Sequence, residues 1–109
     1  KYFMEKKDKL YIGVYNDYYG ALLTEHQREV VADYYDRDLS LAEIADARGI
    51  SPQGVRDTLK RAEKQLEEFE QKLGLVARSR KLSALIADAA AKSEDDAQRA
   101  ILDAAQKLL

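Results

Sequence analysis

The sequence predicts an all-α protein whose central third is a pair of helices joined by a tight turn, followed by one long helix and a C-terminal helical extension. Three observations lead there. Hydrophobic residues make up 46% and charged residues 35% of the 109, with five glycines and one proline, a balance suited to amphipathic helices rather than to turn-rich sheets. Apolar residues recur at steps of three and four along most of the chain. The stretch "SLAEIADARGISPQGVRDTLKR", Ser40 to Arg61, holds two helical segments separated by a glycine and a serine, and its second segment ends in basic residues.

The elements follow in order. Residues 1–8 are expected to be a tail, with Lys1, Tyr2 and Phe3 left over from expression ahead of Met4 as the native start. Residues 9–73 form the principal domain. Its first helix is expected over Lys9 to Leu23, with Leu10, Val14, Tyr18 and Ala21 as one apolar stripe and Tyr11, Tyr15, Tyr19 and Leu22 as the next. Thr24, with Gln27 three positions on, forms a capping box that starts a second helix reaching about Tyr35, where "DRDL" turns the chain. Ser40 and Glu43 repeat the capping box on a short third helix, and Gly49 ends it where a positive φ is required. Ser51 caps the next helix with Pro52 at its first position, where a missing N–H costs nothing.

That helix meets no stop signal before Gly74. Val55, Leu59, Ala62, Leu66, Phe69 and Leu73 step along it by 4, 3, 4, 3 and 4, a heptad seam. Arg56, Lys60, Glu63, Lys64, Glu67, Glu68 and Lys72 are assigned to its outer face, the lysines within reach of the glutamates at helical spacing. Residues 74–109 turn alanine- and leucine-rich. Leu82, Leu85, Ile86, Ala89 and Ala90 fall on one face, Ser93 is the expected cap of a last helix, and Ile101, Ala104, Ala105 and Leu108 form that helix's stripe.

Composition narrows function. There is no cysteine and one histidine, so thiolate metal sites and disulfides are excluded, and no metal or cofactor is expected. Catalysis lacks a signature: no nucleophile–base pair, no phosphate loop and no spaced carboxylate set beyond the "EDD" at Glu94 to Asp96. No apolar run reaches the ~20 residues of a membrane span, so membrane insertion is not expected and a cytoplasmic location is. A formal net charge of −2 weighs against bulk attraction to nucleic acid, leaving only a local patch to bind it.

Such a patch is on offer. Ile44, Ala45, Gly49, Ile50 and Val55 occupy, in order, the core anchor, close contact, turn, plug and second anchor of a helix-turn-helix. If it docks as this motif does, Gln53 and Arg56 face base edges, since glutamine pairs with adenine and arginine with guanine. Ser51, Lys60, Arg61 and Lys64 then contact phosphates. From Ser51 to Lys64 four basic residues oppose two acidic ones, a thin patch. The competing reading is a solvated outer face. Gly54, costing a helix roughly 1 kcal/mol against alanine, serves a close approach by a neighbouring helix or by DNA. The tyrosines sit among leucine and valine and read as core rather than as base-stacking platforms, and His26 reads as surface.

The distal seam, Leu66, Phe69 and Leu73, either packs within the chain or pairs with a second copy; a homodimer is favoured, with the C-terminal helices contributing.

The segment "ALLTEHQREVVADYYDRDLSLAEIADARGISPQGVRDTLKRAEKQLEEFEQKL", Ala21 to Leu73, carries "ALLT..Q", "YY", "SL.EIA" and "V.D.LKR.E" ahead of a charged helix. In these motifs, over roughly Leu10 to Leu73, it resembles the YlxM-like family of small bacterial proteins, whose helix-turn-helix is similar to the fourth region of bacterial sigma factors. The resemblance implies an all-helical, dimeric, DNA-binding type of protein tied to the signal recognition particle, beside whose genes such proteins are generally encoded. It equally accommodates an accessory factor that binds a particle protein or RNA through the long helix, the "RSRK" cluster at Arg78 to Lys81, or the last helices. Where relatives read Ser-Arg-Gln-Ala, this chain has Ser51, Pro52, Gln53 and Gly54, and its alanine-rich tail departs from the family pattern.

Overall fold

In the computed structural model, which describes residues 6 and 8–109, all regular structure among the described residues is helical. Apart from Lys6 and Asp8, the expected tail and its three leading residues lie outside that range. The chain divides into two compact units, Lys1–Leu73 and Gly74–Leu109.

The first unit holds α1 (Tyr11–Tyr19), a 3-10 turn (Gly20–Leu22), α2 (Glu25–Val31), a π-helical turn (Ala32–Asp36), α3 (Leu41–Arg48) and α4 (Pro52–Leu73). Both capping boxes close: Thr24 Oγ1 accepts from the Gln27 amide and Gln27 Oε1 from the Thr24 amide, each at 3.1 Å. Past Val31 the helix widens, the Arg37 amide bonding Ala32 five residues back at 2.9 Å. This turn carries Asp33 into the interior beside Tyr34.

On α1 the buried line is not the expected one. Ile12, Gly13, Asn16 and Tyr19 face inward, while Leu10 and Leu22 are 59% and 61% exposed. A polar residue sits in the middle of the true stripe. Asn16 Nδ2 donates to the Arg28 carbonyl at 3.2 Å, while its Oδ1 is buried without a hydrogen-bond partner, and Gly13 leaves room for Asp36 and Tyr35, whose nearest atoms would stand 3.1 and 3.7 Å from an added Cβ.

The seam on α4 forms the core of this unit. Val55, Leu59, Ala62 and Leu66 are wholly buried, alongside Ile12, Val30, Val31 and Ile44. Each such aliphatic side chain contributes roughly 1.5–3 kcal/mol on burial. Phe69 is half-buried with its ring 5.9 Å from that of Tyr19, and Leu73 is exposed.

Two residues assigned to the outer face of α4 are elsewhere. Glu63 is 3% exposed and accepts from the Tyr35 hydroxyl at 2.5 Å, with Lys9 Nζ 3.6 Å away; Glu67 accepts from Tyr11 at 2.5 Å. Glu70 accepts from Tyr19, also at 2.5 Å. Glu63, Glu67 and Glu70 thus form a second stripe, stepping 4 and 3, that lies beside the apolar seam and grips three tyrosines from α1 and the π-turn. Carboxylate acceptors make these stronger than neutral hydrogen bonds.

The second unit is a hairpin of α5 (Leu75–Lys92) and α6 (Asp96–Gln106). Asp95, not Ser93, caps α6: its Oδ1 accepts from the Ala97 amide at 2.9 Å, while the Ser93 carbonyl accepts from Arg99. Ile86, Ala90, Leu102 and Ala105 are half-buried, and the Gln106 amide donates to the Ser83 hydroxyl. Leu82, Leu85, Ala89, Ile101, Ala104 and Leu108 remain exposed. Among the described residues no helix is long and apolar enough to cross a membrane.

Candidate nucleic-acid interface

The turn between α3 and α4 is assembled as its residue types require. The Ser40 hydroxyl accepts from the Glu43 amide at 3.1 Å and Glu43 Oε1 from the Ser40 amide at 2.9 Å. The Ser40 amide, and after it the Ser40 side chain, hold the Glu43 carboxyl below its ordinary pKa. Gly49 follows α3 at φ 66°, and the Ile50 amide closes the turn on the Ala45 carbonyl at 3.1 Å. Ile44, Ala45 and Val55 are buried and Ile50 is half-buried. Ser51 then caps α4, its hydroxyl accepting from the Gly54 amide at 3.0 Å and its carbonyl from the Val55 amide.

A cluster unseen in the sequence braces α3 from behind. Asp33, 4% exposed, accepts from Arg48 Nε at 2.9 Å and from Arg37 Nη1 at 2.6 Å, with Glu29 at 3.8 and 3.5 Å from the same two guanidinium groups. Burial raises the Asp33 pKa, but the two arginine hydrogen bonds outweigh it and the net shift is downward. The Arg37 contact is visible at i,i+4. The Arg48 contact spans 15 residues and is created by the π-turn, so periodicity carries no trace of it.

Gln53, Arg56, Lys60, Arg61 and Lys64 lie on the side of α4 away from its buried seam, and Ser51 caps the helix just before its first residue. Ser51, Gln53, Lys60, Arg61 and Lys64 are exposed and Arg56 is half-buried. Gln53 and Arg56 are brought into contact, Arg56 Nη1 donating to Gln53 Oε1 at 3.1 Å, while Gln53 Nε2 donates to Asp57 Oδ1 at 2.9 Å. Lys60, Arg61 and Lys64 make no ion pair among the described residues; of the glutamates expected to meet the lysines, Glu63 and Glu67 are engaged with tyrosines, while Glu68 is exposed. Gln53, Arg56, Lys60 and Lys64, at steps of 3, 4 and 4, therefore run as one ladder along the open face. The distal seam residues behave differently from one another: Leu66 and Phe69 are engaged inside the unit and Leu73 is open to solvent.

The family described as "Putative helix-turn-helix protein, YlxM / p13 like", UPF0122, matches residues 4–105. The chain belongs to the UPF0122 family. The match runs through the alanine-rich segment, which corrects the expectation that the tail departs from the family. A UPF0122 protein of Thermoanaerobacter sp. is 55% identical over 75 residues, 69% of this chain and 64% of that protein. One from Clostridium botulinum is 49% identical over 73 residues, 67% of each chain. One from Symbiobacterium thermophilum is 43% identical over 103 residues, 94% of this chain and 92% of that protein. The chain thus spans just under two thirds of the Thermoanaerobacter relative's length and nearly all of the Symbiobacterium one's.

Proposed function

We propose that this UPF0122 protein is a non-enzymatic regulator that binds duplex DNA through its helix-turn-helix in the manner of the sigma-factor fourth region. The observation that carries the reading is the open face of α4, where Gln53 and Arg56 stand together at the N-terminal end and Lys60, Arg61 and Lys64 follow without ion-pair partners. The start of α4 enters the major groove, Arg56 pairing with guanine and Gln53 with adenine once the Arg56–Gln53 contact opens; the three cations and Ser51 meet phosphates. Work of this kind belongs in the cytoplasm. A role in regulating the signal recognition particle pathway rests on the family resemblance alone.

Titration of fluorescent duplex DNA at several salt concentrations tests the reading. Micromolar or tighter binding that weakens steeply with salt is expected. Arg56→Ala costs roughly 1–3 kcal/mol at one base position, while Lys64→Ala weakens all sequences alike and lowers the salt slope by about one. No duplex binding even at low salt overturns it.

A second reading has one observation in its favour. Asp57 sits in the reading face and holds Gln53, and a carboxylate there repels phosphate. In that reading the motif is a scaffold, and a particle protein or RNA is bound elsewhere, with the exposed cluster Arg78, Arg80 and Lys81 a candidate contact. Targeting-particle RNA run in parallel separates the two.

A further inference from the structure

Asp57 stands in the middle of the face that α4 turns away from its core. Gln53, Asp57, Lys60 and Lys64 step by 4, 3 and 4, the spacing of the buried seam but on the opposite side, and all four are exposed. A carboxylate among the cations of a helix face ordinarily has one of two explanations. In the first turn the helix dipole favours it, but Asp57 is the sixth residue of Pro52–Leu73, beyond a first turn that holds no acid. Three or four residues from a basic side chain it forms an ion pair, and Lys60 and Arg61 stand at those spacings. Neither pairs with it. Among the described residues the Asp57 carboxylate has one hydrogen bond, accepted by Oδ1 from Gln53 Nε2 at 2.9 Å, and Oδ2 has no protein partner. Gln53 Oε1 in turn accepts from Arg56 Nη1 at 3.1 Å, so the glutamine amide is fixed at both ends.

We propose that Asp57 determines base specificity by accepting a hydrogen bond from the exocyclic amino group of a cytosine, so that the duplex bound carries a cytosine close to the guanine met by Arg56. It rests on the duplex-binding reading above and adds base content to the target. The base edges decide the partner. In the major groove cytosine presents its N4 amino donor with no acceptor beside it, whereas guanine presents N7 and O6 and thymine presents O4, acceptors that repel a carboxylate. Adenine offers an amino group too, but its N7 acceptor lies next to it. Gln53 holds Oδ1 and leaves Oδ2 for the cytosine. When Arg56 moves to guanine, Gln53 regains its oxygen and still has a second amide hydrogen, the pair that adenine requires, so holding Asp57 does not remove Gln53 as a reader. Gln53 to Asp57 rises roughly 6 Å along the helix, so the bases met fall within about two base pairs at ~3.4 Å each. A charge repelled at every wrong site and matched at the right one gives selectivity more than affinity, which accounts for a carboxylate in a thin basic patch.

The test is selection by the full chain from duplexes randomised over about one helical turn, followed by anisotropy titration of the selected duplex with each of the four bases at the assigned position. The wild type is expected to enrich a cytosine within about two base pairs of a guanine and to prefer it over thymine by roughly tenfold to a hundredfold. Asp57→Ala is expected to bring that ratio near one while binding unselected duplex more tightly, because a repelling charge is gone. Asp57→Asn shifts the preference from cytosine towards adenine, which an amide pairs at N6 and N7. Preference for guanine stays in both variants and is lost in Arg56→Ala. A merely structural Asp57 would leave every base preference where it was. If the wild type binds no duplex even at low salt, the duplex-binding reading falls and this inference with it. If Arg56-dependent guanine preference is present but Asp57→Ala only raises affinity for all sequences alike, duplex binding stands and the cytosine contact is overturned.

Discussion

The two units are equally helical and are held together in different ways. Lys1–Leu73 packs four α-helices around Val55, Leu59, Ala62 and Leu66, with carboxylates on the same helix gripping tyrosines. Gly74–Leu109 has periodicity as clear as that of the first unit, yet Val76 is its one buried residue among those described. Helical spacing reports that a segment will be a helix with an apolar side; what covers that side depends on how many other faces the chain brings to it.

Deleting a leucine from each unit is expected to separate the two most strongly. Leu59→Ala empties a wholly buried position and is expected to cost ~2–5 kcal/mol in urea denaturation. Leu85→Ala, at 66% exposure, is expected to stay within about 0.5 kcal/mol at concentrations where the chain is monomeric. Comparable losses at the two sites would mean that the hairpin face is covered within the monomer.

Much of the first unit was legible because its signals are local. Both capping boxes, Gly49, Ser51 with Pro52, and the seam from Val55 to Leu66 are each determined by residues within one or two turns. The misplaced features depend on distant partners. Glu63 and Glu67 look like solvent-facing members of a charged helix until Tyr35 and Tyr11 are brought to them from 28 and 56 residues away. Asn16 looks like an interruption in the α1 stripe and is instead its midpoint, because the Arg28 carbonyl is opposite. For the candidate interface the α4 ladder could be read from spacing, but the Arg56–Gln53–Asp57 chain could not, since it depends on rotamer choice on the surface.

Asp33 provides the next largest effect and a pH signature confined to the first unit. Its pKa is lowered on folding, so its contribution is present above the ordinary carboxylate range and lost as pH falls through the folded-state value. Asp33→Ala is expected to cost on the order of 1–3 kcal/mol at neutral pH, toward the lower end because both arginine heads remain partly in water. The variant should also lose part of the wild type's decline in stability below about pH 4; an unchanged acid profile would separate Asp33 from that decline.

Tyr11 supplies the opposite sign at the other end of the scale. Its hydrogen bond to Glu67, with burial and the nearby carboxylate charge, pushes its pKa up to about 12. A raised folded-state value means the stabilisation is intact below pH 10 and drains away as pH rises towards 12. Tyr11→Phe, expected to cost about 0.5–1.5 kcal/mol at neutral pH, should flatten that alkaline loss in thermal melts. An unchanged alkaline loss in Tyr11→Phe would separate Tyr11 from that decline.

Gly54 gives the smallest change in stability and the most informative one for function. A Cβ there would stand 3.2 Å from Ser51 Oγ and 3.9 Å from Ile50 Cβ. The Ser51 hydroxyl must give by a few tenths of an ångström, which loosens a cap worth about 1 kcal/mol, while alanine gains up to about 1 kcal/mol in helix propensity. The two nearly cancel, so Gly54→Ala should leave the urea midpoint of the first unit almost unmoved. Duplex affinity has no such compensation: Gly54 lies one residue from Gln53 at the start of α4, where the proposed complex brings backbone and DNA together, and a methyl group there obstructs the approach. Loss of affinity at constant stability therefore assigns the glycine to the DNA side of α4, and unchanged affinity assigns it to the Ser51 cap.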